Sequence, residues 1–123
     1  MKIENEVKLD FSDVLIRPKR SSLKSRSDIN LIRKIHFPIS DQTWEGIPII
    51  AANMDTIGTY EVYKVLSKVQ MITAFHKFYS PEDYNNMEGL DPNYFMVSTG
   101  ISNNDLERLK EILSLITVKF ICI

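Results

Sequence analysis

Cysteine is nearly absent from this chain. The one thiol, Cys122, excludes an intrachain disulfide and suits a reducing compartment. Glycine is scarce too. There are four in 123 residues, and none of them builds a G-x-G-x-x-G phosphate loop. Histidine occurs twice, as His36 and His76, and no cluster has metal-ligand spacing. No apolar run approaches the roughly 18–20 residues of a membrane helix. Met1-Lys2-Ile3-Glu4-Asn5-Glu6 is too polar for the apolar stretch of a cleavable signal. A cytoplasmic protein with no membrane partner is therefore expected. Excess charge is missing as well: the net charge is −1, so the whole molecule is not built to attract nucleic acid.

What is present is ordinary globular material, 44% hydrophobic and 25% charged, enough for one core. The charge is uneven. Residues 17–34 carry seven basic side chains and one acid, Asp28. Such a stretch either binds phosphates or is a solvated face. It lacks the recognition helix or aromatic platform of a nucleic-acid module.

Residues 1–46 read as an irregular N-terminal segment. Short strands are expected at 7–9 and 14–16, after which Pro18 blocks pairing. Residues 21–28 read as polar loop. Residues 36–46, with Pro38, Asp41 and Gly46, read as turns. His36 and Trp44 are expected to pack within this segment.

Residues 47–123 are periodic. A strand at 47–54 is followed by Thr59 as helix N-cap and an apolar stripe at Val62, Val65, Leu66 and Val69. A second strand is expected at 71–77. Ser80-Pro81-Glu82-Asp83 then starts a short helix, with Ser80 capping, Pro81 in the first turn and Asp83 returning a bond. A third strand at 94–99 leads to a capping box at Ser102-Asn103-Asn104-Asp105. The next helix has Leu106, Leu109, Ile112, Leu113 and Ile116 on one face. A fourth strand runs from 118 to the last residue, so the chain is expected to be the first part of an enzyme rather than all of it.

Strand starts near 47, 71, 94 and 118 are spaced by 24, 23 and 24 residues. A βα series of this period implies a parallel sheet with right-handed crossovers. About four such units make the N-terminal part of a (β/α)8 TIM barrel, which closes only with eight. An open doubly wound sheet is the competing architecture. It usually places a Gly-rich loop after its first strand, and here Asn53-Met54-Asp55-Thr56-Ile57-Gly58 stands there instead.

In a barrel of this kind the site lies at the C-terminal ends of the strands. The tip Asn53-Met54-Asp55-Thr56 brings an amide, a thioether and a carboxylate there; His76-Lys77 brings an imidazole and an ammonium. Asp55 suits a supporting bond or a cap on the next helix. His76 has no identifiable partner, so a hydrogen-bonded structural histidine is expected. Cys122, flanked by Ile121 and Ile123 with no charged neighbour closer than Lys119, reads as a small buried hydrophobe and not a nucleophile.

Three segments carry a family resemblance. They are Leu9-Asp10-Phe11-Ser12-Asp13-Val14-Leu15-Ile16-Arg17-Pro18-Lys19-Arg20-Ser21-Ser22-Leu23-Lys24-Ser25-Arg26-Ser27, then Ile47-Pro48-Ile49-Ile50-Ala51-Ala52-Asn53-Met54-Asp55-Thr56-Ile57-Gly58-Thr59, then Thr73-Ala74-Phe75-His76-Lys77. Together they resemble the family shared by GMP reductases and IMP dehydrogenases. Residues 17–26 look more like the reductase branch. The resemblance implies a (β/α)8 barrel, usually a homotetramer, that converts GMP to IMP and ammonia with NADPH in purine salvage. It implies NADP contacts at Ser25, Arg26 and Lys77, and purine-nucleotide contacts at Asn53 and Met54. The chemistry fits: Arg forks onto phosphate, a hydroxyl adds a bond, Lys supplies a point charge, and Met suits a flat ring. In the resembling enzymes the nucleophilic cysteine, the proton-handling residues, the phosphate-gripping loops and the monovalent-cation loop all lie downstream. No catalytic residue is therefore expected among these 123. The alternatives are a fragment of an IMP dehydrogenase-like enzyme and a non-catalytic remnant that only binds or associates.

Overall fold

The computed structural model describes residues 6–123. The chain divides into two compact units, one ending at Asn30 and the other spanning Leu31–Ile123.

The first unit is built on two single turns of 3-10 helix, Phe11–Asp13 and Arg26–Asp28. Each turn is held by side chains acting on local backbone. Asp10 caps the first turn, and Asp13 accepts the Asp10 N–H at 2.9 Å. Ser25 Oγ accepts the Ser27 N–H at 3.2 Å, and Asp28 accepts the Ser25 N–H at 3.1 Å. The strands expected at 7–9 and 14–16 do not form. Asp10 and Asp13 offer the backbone a local alternative to a ladder, and the turn they hold separates the two apolar runs.

The second unit opens with an antiparallel hairpin, β1 (Arg33–Phe37) and β2 (Gln42–Gly46), in the register Ile35↔Trp44. Residues 36–46 are thus not all turn. Only 38–41 turn, with Asp41 in the left-handed region at φ 53°, a conformation Asp tolerates. Gly46 serves close packing: a Cβ there would stand 2.5 Å from the Trp44 ring. Trp44 is buried, and its Nε1–H donates to Asn93 O at 2.7 Å, ahead of the third barrel strand. Its anchor is therefore in the βα region and not the N-terminal segment, because a buried indole N–H needs an acceptor. His36 is exposed, 3.7 Å from Asp41.

Four parallel strands follow in the order β3 (Ile50–Ala51), β4 (Ile72–Ala74), β5 (Phe95–Ser98) and β6 (Ile121–Cys122). Between them lie α1 (Tyr60–Leu66), α2 (Pro81–Asn86) and α3 (Asn103–Leu115). This is the open, unclosed part of a barrel. The strands are shorter than the apolar runs that encode them. A ladder needs a facing strand, and β3 and β6 each have one neighbour. The three helix starts are as expected. Thr59 accepts the Val62 N–H, and Ser80–Asp83 and Ser102–Asp105 are reciprocal capping boxes.

Register puts Thr73, Phe95, Val97 and Ile121 on one sheet face and Ala74, Met96, Ser98 and Cys122 on the other. The first face packs on the helices. Tyr63, Phe75, Tyr84, Phe95, Val97 and Ile112 form the buried cluster. The stripe expected on α1 is displaced. Tyr63 is buried, while Val65 and Val69 are exposed. The helix tightens to a 3-10 turn at Ser67–Val69, which rotates Val69 off the stripe. Tyr63 is held by its hydroxyl, which donates to Gly89 O at 3.1 Å and accepts the Asp91 N–H at 2.7 Å. On α3, Ile112 is buried with Leu109 and Ile116 beside it, whereas Leu106 and Leu113 are exposed.

Candidate functional site

The C-terminal ends of the strands are brought together by the sheet's curl. Asn53 follows β3 and Cys122 lies in β6, with β4 and β5 between. A flat sheet would separate those strands by about 14 Å. Instead, Asn53 Nδ2 lies 3.7 Å from Cys122 Sγ. Cys122 is half-buried with an amide on its sulfur, where a small buried hydrophobe was expected; an edge strand leaves one of its sides open.

The turn after β3 is locked to the end of β4. Gly58 N–H donates to Met54 O at 2.7 Å, and Gly58 O accepts the His76 N–H at 2.9 Å. Glycine is required there, since a Cβ would collide with the Ala74 carbonyl. This lock sets Asn53-Met54 beside His76-Lys77. Asn53 and Met54 are exposed on the turn, Met54 at 55%. Asp55 is exposed too, and Thr59 rather than Asp55 caps α1. His76 stacks on Tyr79, ring centroids 4.0 Å apart, and its Nδ1 is buried without a hydrogen-bond partner. The expected hydrogen-bonded structural histidine is thus held by stacking and by its backbone.

Lys77 is exposed, with Nζ 5.7 Å from the Phe78 ring and no ion pair among the described residues. The Ser102 hydroxyl holds the Asp105 carboxyl below its ordinary pKa, with smaller help from the charges of Lys77 and Arg108. Ser25 and Arg26 belong to the other compact unit; both are exposed, and Arg26 has no ion pair among the described residues. Ser25 Oγ also lies 2.8 Å from Ser27 Oγ.

Arg108 was not legible as a site residue. It lies on α3, half-buried, with Nη1 donating to Tyr79 O at 2.7 Å and Nη2 to Ser98 O at 2.6 Å. One signal was available: Arg108 stands four residues before the buried Ile112, on the apolar face of its helix. Among the described residues no group of His, Cys, Asp and Glu forms a metal site, and no helix is long and apolar enough to cross a membrane.

No protein-family model matches the chain. Individual proteins do. It is 53% identical to the GMP reductase of Buchnera aphidicola (strain Tuc7) and 51% identical to that of Citrobacter koseri, in each case over 100% of this chain and 37% of the relative. It is 50% identical to human GMP reductase 2 over 98% of this chain and 36% of that protein. The chain therefore spans little more than a third of the length of these curated relatives. A crystal structure of inosine 5′-monophosphate dehydrogenase from Legionella pneumophila superposes with a TM-score of 0.67 at 25% identity, covering 91% of this chain and 33% of that one. Over 98–100% of its length this chain is similar to the N-terminal part of GMP reductases.

Proposed function

We propose that these 123 residues form the first part of a GMP reductase, an NADPH-dependent oxidoreductase converting GMP to IMP and ammonia. The observation that carries this is identity of 50–53% to GMP reductases along the full chain. The Legionella structure favours a second reading, an IMP dehydrogenase-like enzyme, but at half that identity. A GMP- or IMP-sized nucleotide, a cytoplasmic setting, a role in purine salvage and a homotetrameric parent belong to the same proposal.

NADPH, when bound, supplies the hydride. The fit of this chain to that group rests on donor chemistry. Arg26 and Lys77 are exposed cations without ion pairs among the described residues, and Ser25 carries a hydroxyl; each by itself suits a phosphate oxygen. Each is proposed to contact the cofactor. Asn53 and Met54 are proposed to face the purine nucleotide, the amide offering hydrogen bonds and the thioether a soft apolar surface. No nucleophile is assigned among these residues: Cys122 carries a neutral amide on its sulfur. The 123 residues alone are expected to show no turnover.

The test uses a complete barrel, these residues joined to the remainder of the Citrobacter koseri reductase. GMP-dependent oxidation of NADPH is expected, and IMP-dependent reduction of NAD without it would favour the second reading. Lys77→Ala and Arg26→Ala should each raise the KM for NADPH roughly 10- to 100-fold, the worth of one charged hydrogen bond, and move the KM for GMP much less. A loss confined to GMP would reverse the assignment.

A further inference from the structure

We infer that Arg108 is a positioning residue that frees Lys77 from the sheet and holds it at the mouth of the site. This rests on the reading of Lys77 as a cofactor contact.

The β4–β5 ladder stops one rung short at Lys77. Thr73 N–H donates to Tyr94 O at 3.0 Å, and Phe75 N–H donates to Met96 O at 3.0 Å. Parallel strands repeat this bond every two residues. The next rung would run from the Lys77 N–H to Ser98 O. That bond is missing, and Ser98 O accepts Arg108 Nη2 at 2.6 Å in its place. β4 ends at Ala74 and the chain turns outward, leaving Lys77 exposed.

The other arm of the fork fixes where the departing chain goes. Arg108 Nη1 donates to Tyr79 O at 2.7 Å, two residues beyond Lys77. Tyr79 stacks on His76, one residue before it, with centroids 4.0 Å apart. Lys77 is therefore bracketed by two residues that are themselves held. A planar guanidinium, always charged, can bind two carbonyls in one plane; a lysine in its place would reach one. The half-buried setting of Arg108 strengthens both bonds.

With Arg108 removed, Ser98 O loses its donor and the Lys77 N–H is the nearest group in register to replace it. The strand would lengthen by one rung and draw Lys77 back toward the sheet.

The complete barrel described above is the material for the test, with Arg108→Ala, Arg108→Lys and Lys77→Ala as single variants and Lys77→Ala/Arg108→Ala as the double. Arg108→Ala should raise the KM for NADPH about 3- to 10-fold while the KM for GMP stays within about twofold. Arg108→Lys should fall between it and the parent, which keeps the test open if the alanine variant folds poorly. Because Arg108 acts through Lys77, the double variant should be no worse than Lys77→Ala alone. Amide hydrogen exchange supplies a readout independent of activity: exchange at Lys77 should slow in Arg108→Ala as the new rung forms. A lower melting temperature with an unchanged KM for NADPH and unchanged exchange at Lys77 would reduce Arg108 to a stabilising contact and overturn the inference. Effects that multiply in the double variant would overturn it as well. If Lys77→Ala itself leaves the KM for NADPH unchanged, the cofactor reading of Lys77 fails. The exchange result still decides whether Arg108 controls the backbone there.

Discussion

At the scale of single residues, two buried tyrosines show how a hydroxyl's surroundings set its worth. Tyr63 and Tyr84 belong to the same aromatic cluster, and both pack edge-on to Phe75, at 5.7 and 5.8 Å between centroids. Tyr63 OH has both a donor and an acceptor partner, at Asp91 N and Gly89 O. Tyr84 OH is buried with no partner, and burial is the main cause that pushes its pKa far up. A paired buried hydroxyl contributes about 1 kcal/mol, and an unpaired one carries a desolvation cost of about 1–3 kcal/mol. Tyr63→Phe should therefore lower the melting temperature, by the equivalent of about 1–2 kcal/mol, since it also strips the Asp91 amide of its acceptor. Tyr84→Phe should leave stability unchanged or raise it. Thermal melts of the two variants side by side are the check. A clear loss in Tyr84→Phe would mean that its hydroxyl is satisfied in solution.

At the scale of elements, helix starts are written in short side chains. Ser80 Oγ accepts the Asp83 N–H at 3.2 Å while Asp83 accepts the Ser80 N–H at 2.7 Å. Ser102 and Asp105 repeat the pattern, with the backbone bonds at 3.2 Å each way. Both carboxyls are held below their ordinary values: Asp83 chiefly by the Ser80 backbone N–H, Asp105 chiefly by the Ser102 hydroxyl. The sign follows. A carboxyl whose pKa is lower in the folded state contributes stability above its unfolded value, near pH 4, and loses it as pH falls through the folded value. The parent should thus weaken as the pH drops below about 4. An Asp83→Asn/Asp105→Asn variant should start lower at pH 7 and show a flatter acid limb. Urea midpoints across that range would test this, and parallel curves for parent and variant would refute it.

At the scale of the molecule, the parallel sheet has two open edges, β3 and β6. Parallel strands are ordinarily flanked on both sides and covered on both faces. Ile121 is 44% exposed and Ile123 87% exposed at the β6 edge, and Ile50 is 53% exposed at the β3 edge. Free backbone groups and apolar side chains together make a template for further pairing. The 123 residues in isolation should self-associate in sedimentation at micromolar concentration. Ile121→Lys, which puts a charge on the edge without touching the fully buried cluster, should shift the distribution toward monomer. A monodisperse parent that unfolds cooperatively would show that these edges are covered in another way.

The elements that local chemistry controls were legible in the amino-acid order. Thr59, Ser80 and Ser102 announce their helices because a cap needs only residues three positions apart. The even spacing of apolar runs announces four parallel strands. That Asn53-Met54 and His76-Lys77 follow the ends of strands was legible because each comes directly after an apolar run. What failed in the reading depended on distance along the chain. Short strands in the first unit lost to the turn held by Asp10 and Asp13. Residues 36–46 read as turns because only pairing across the hairpin makes their flanks into strands. Tyr63 displaced the aliphatic stripe because its hydroxyl found partners at Gly89 and Asp91, more than 25 positions away. The fork of Arg108 is the same kind of fact. Its role at Ser98 O and Tyr79 O exists only because α3 brings Arg108 to the end of β5 and to the segment leading into α2 at once, and no local pattern records which carbonyls a guanidinium will meet. Sequence alone determined caps, periodicity and the residues offered at the strand tips; tertiary structure decided which backbone groups were left free to be taken, and by whom.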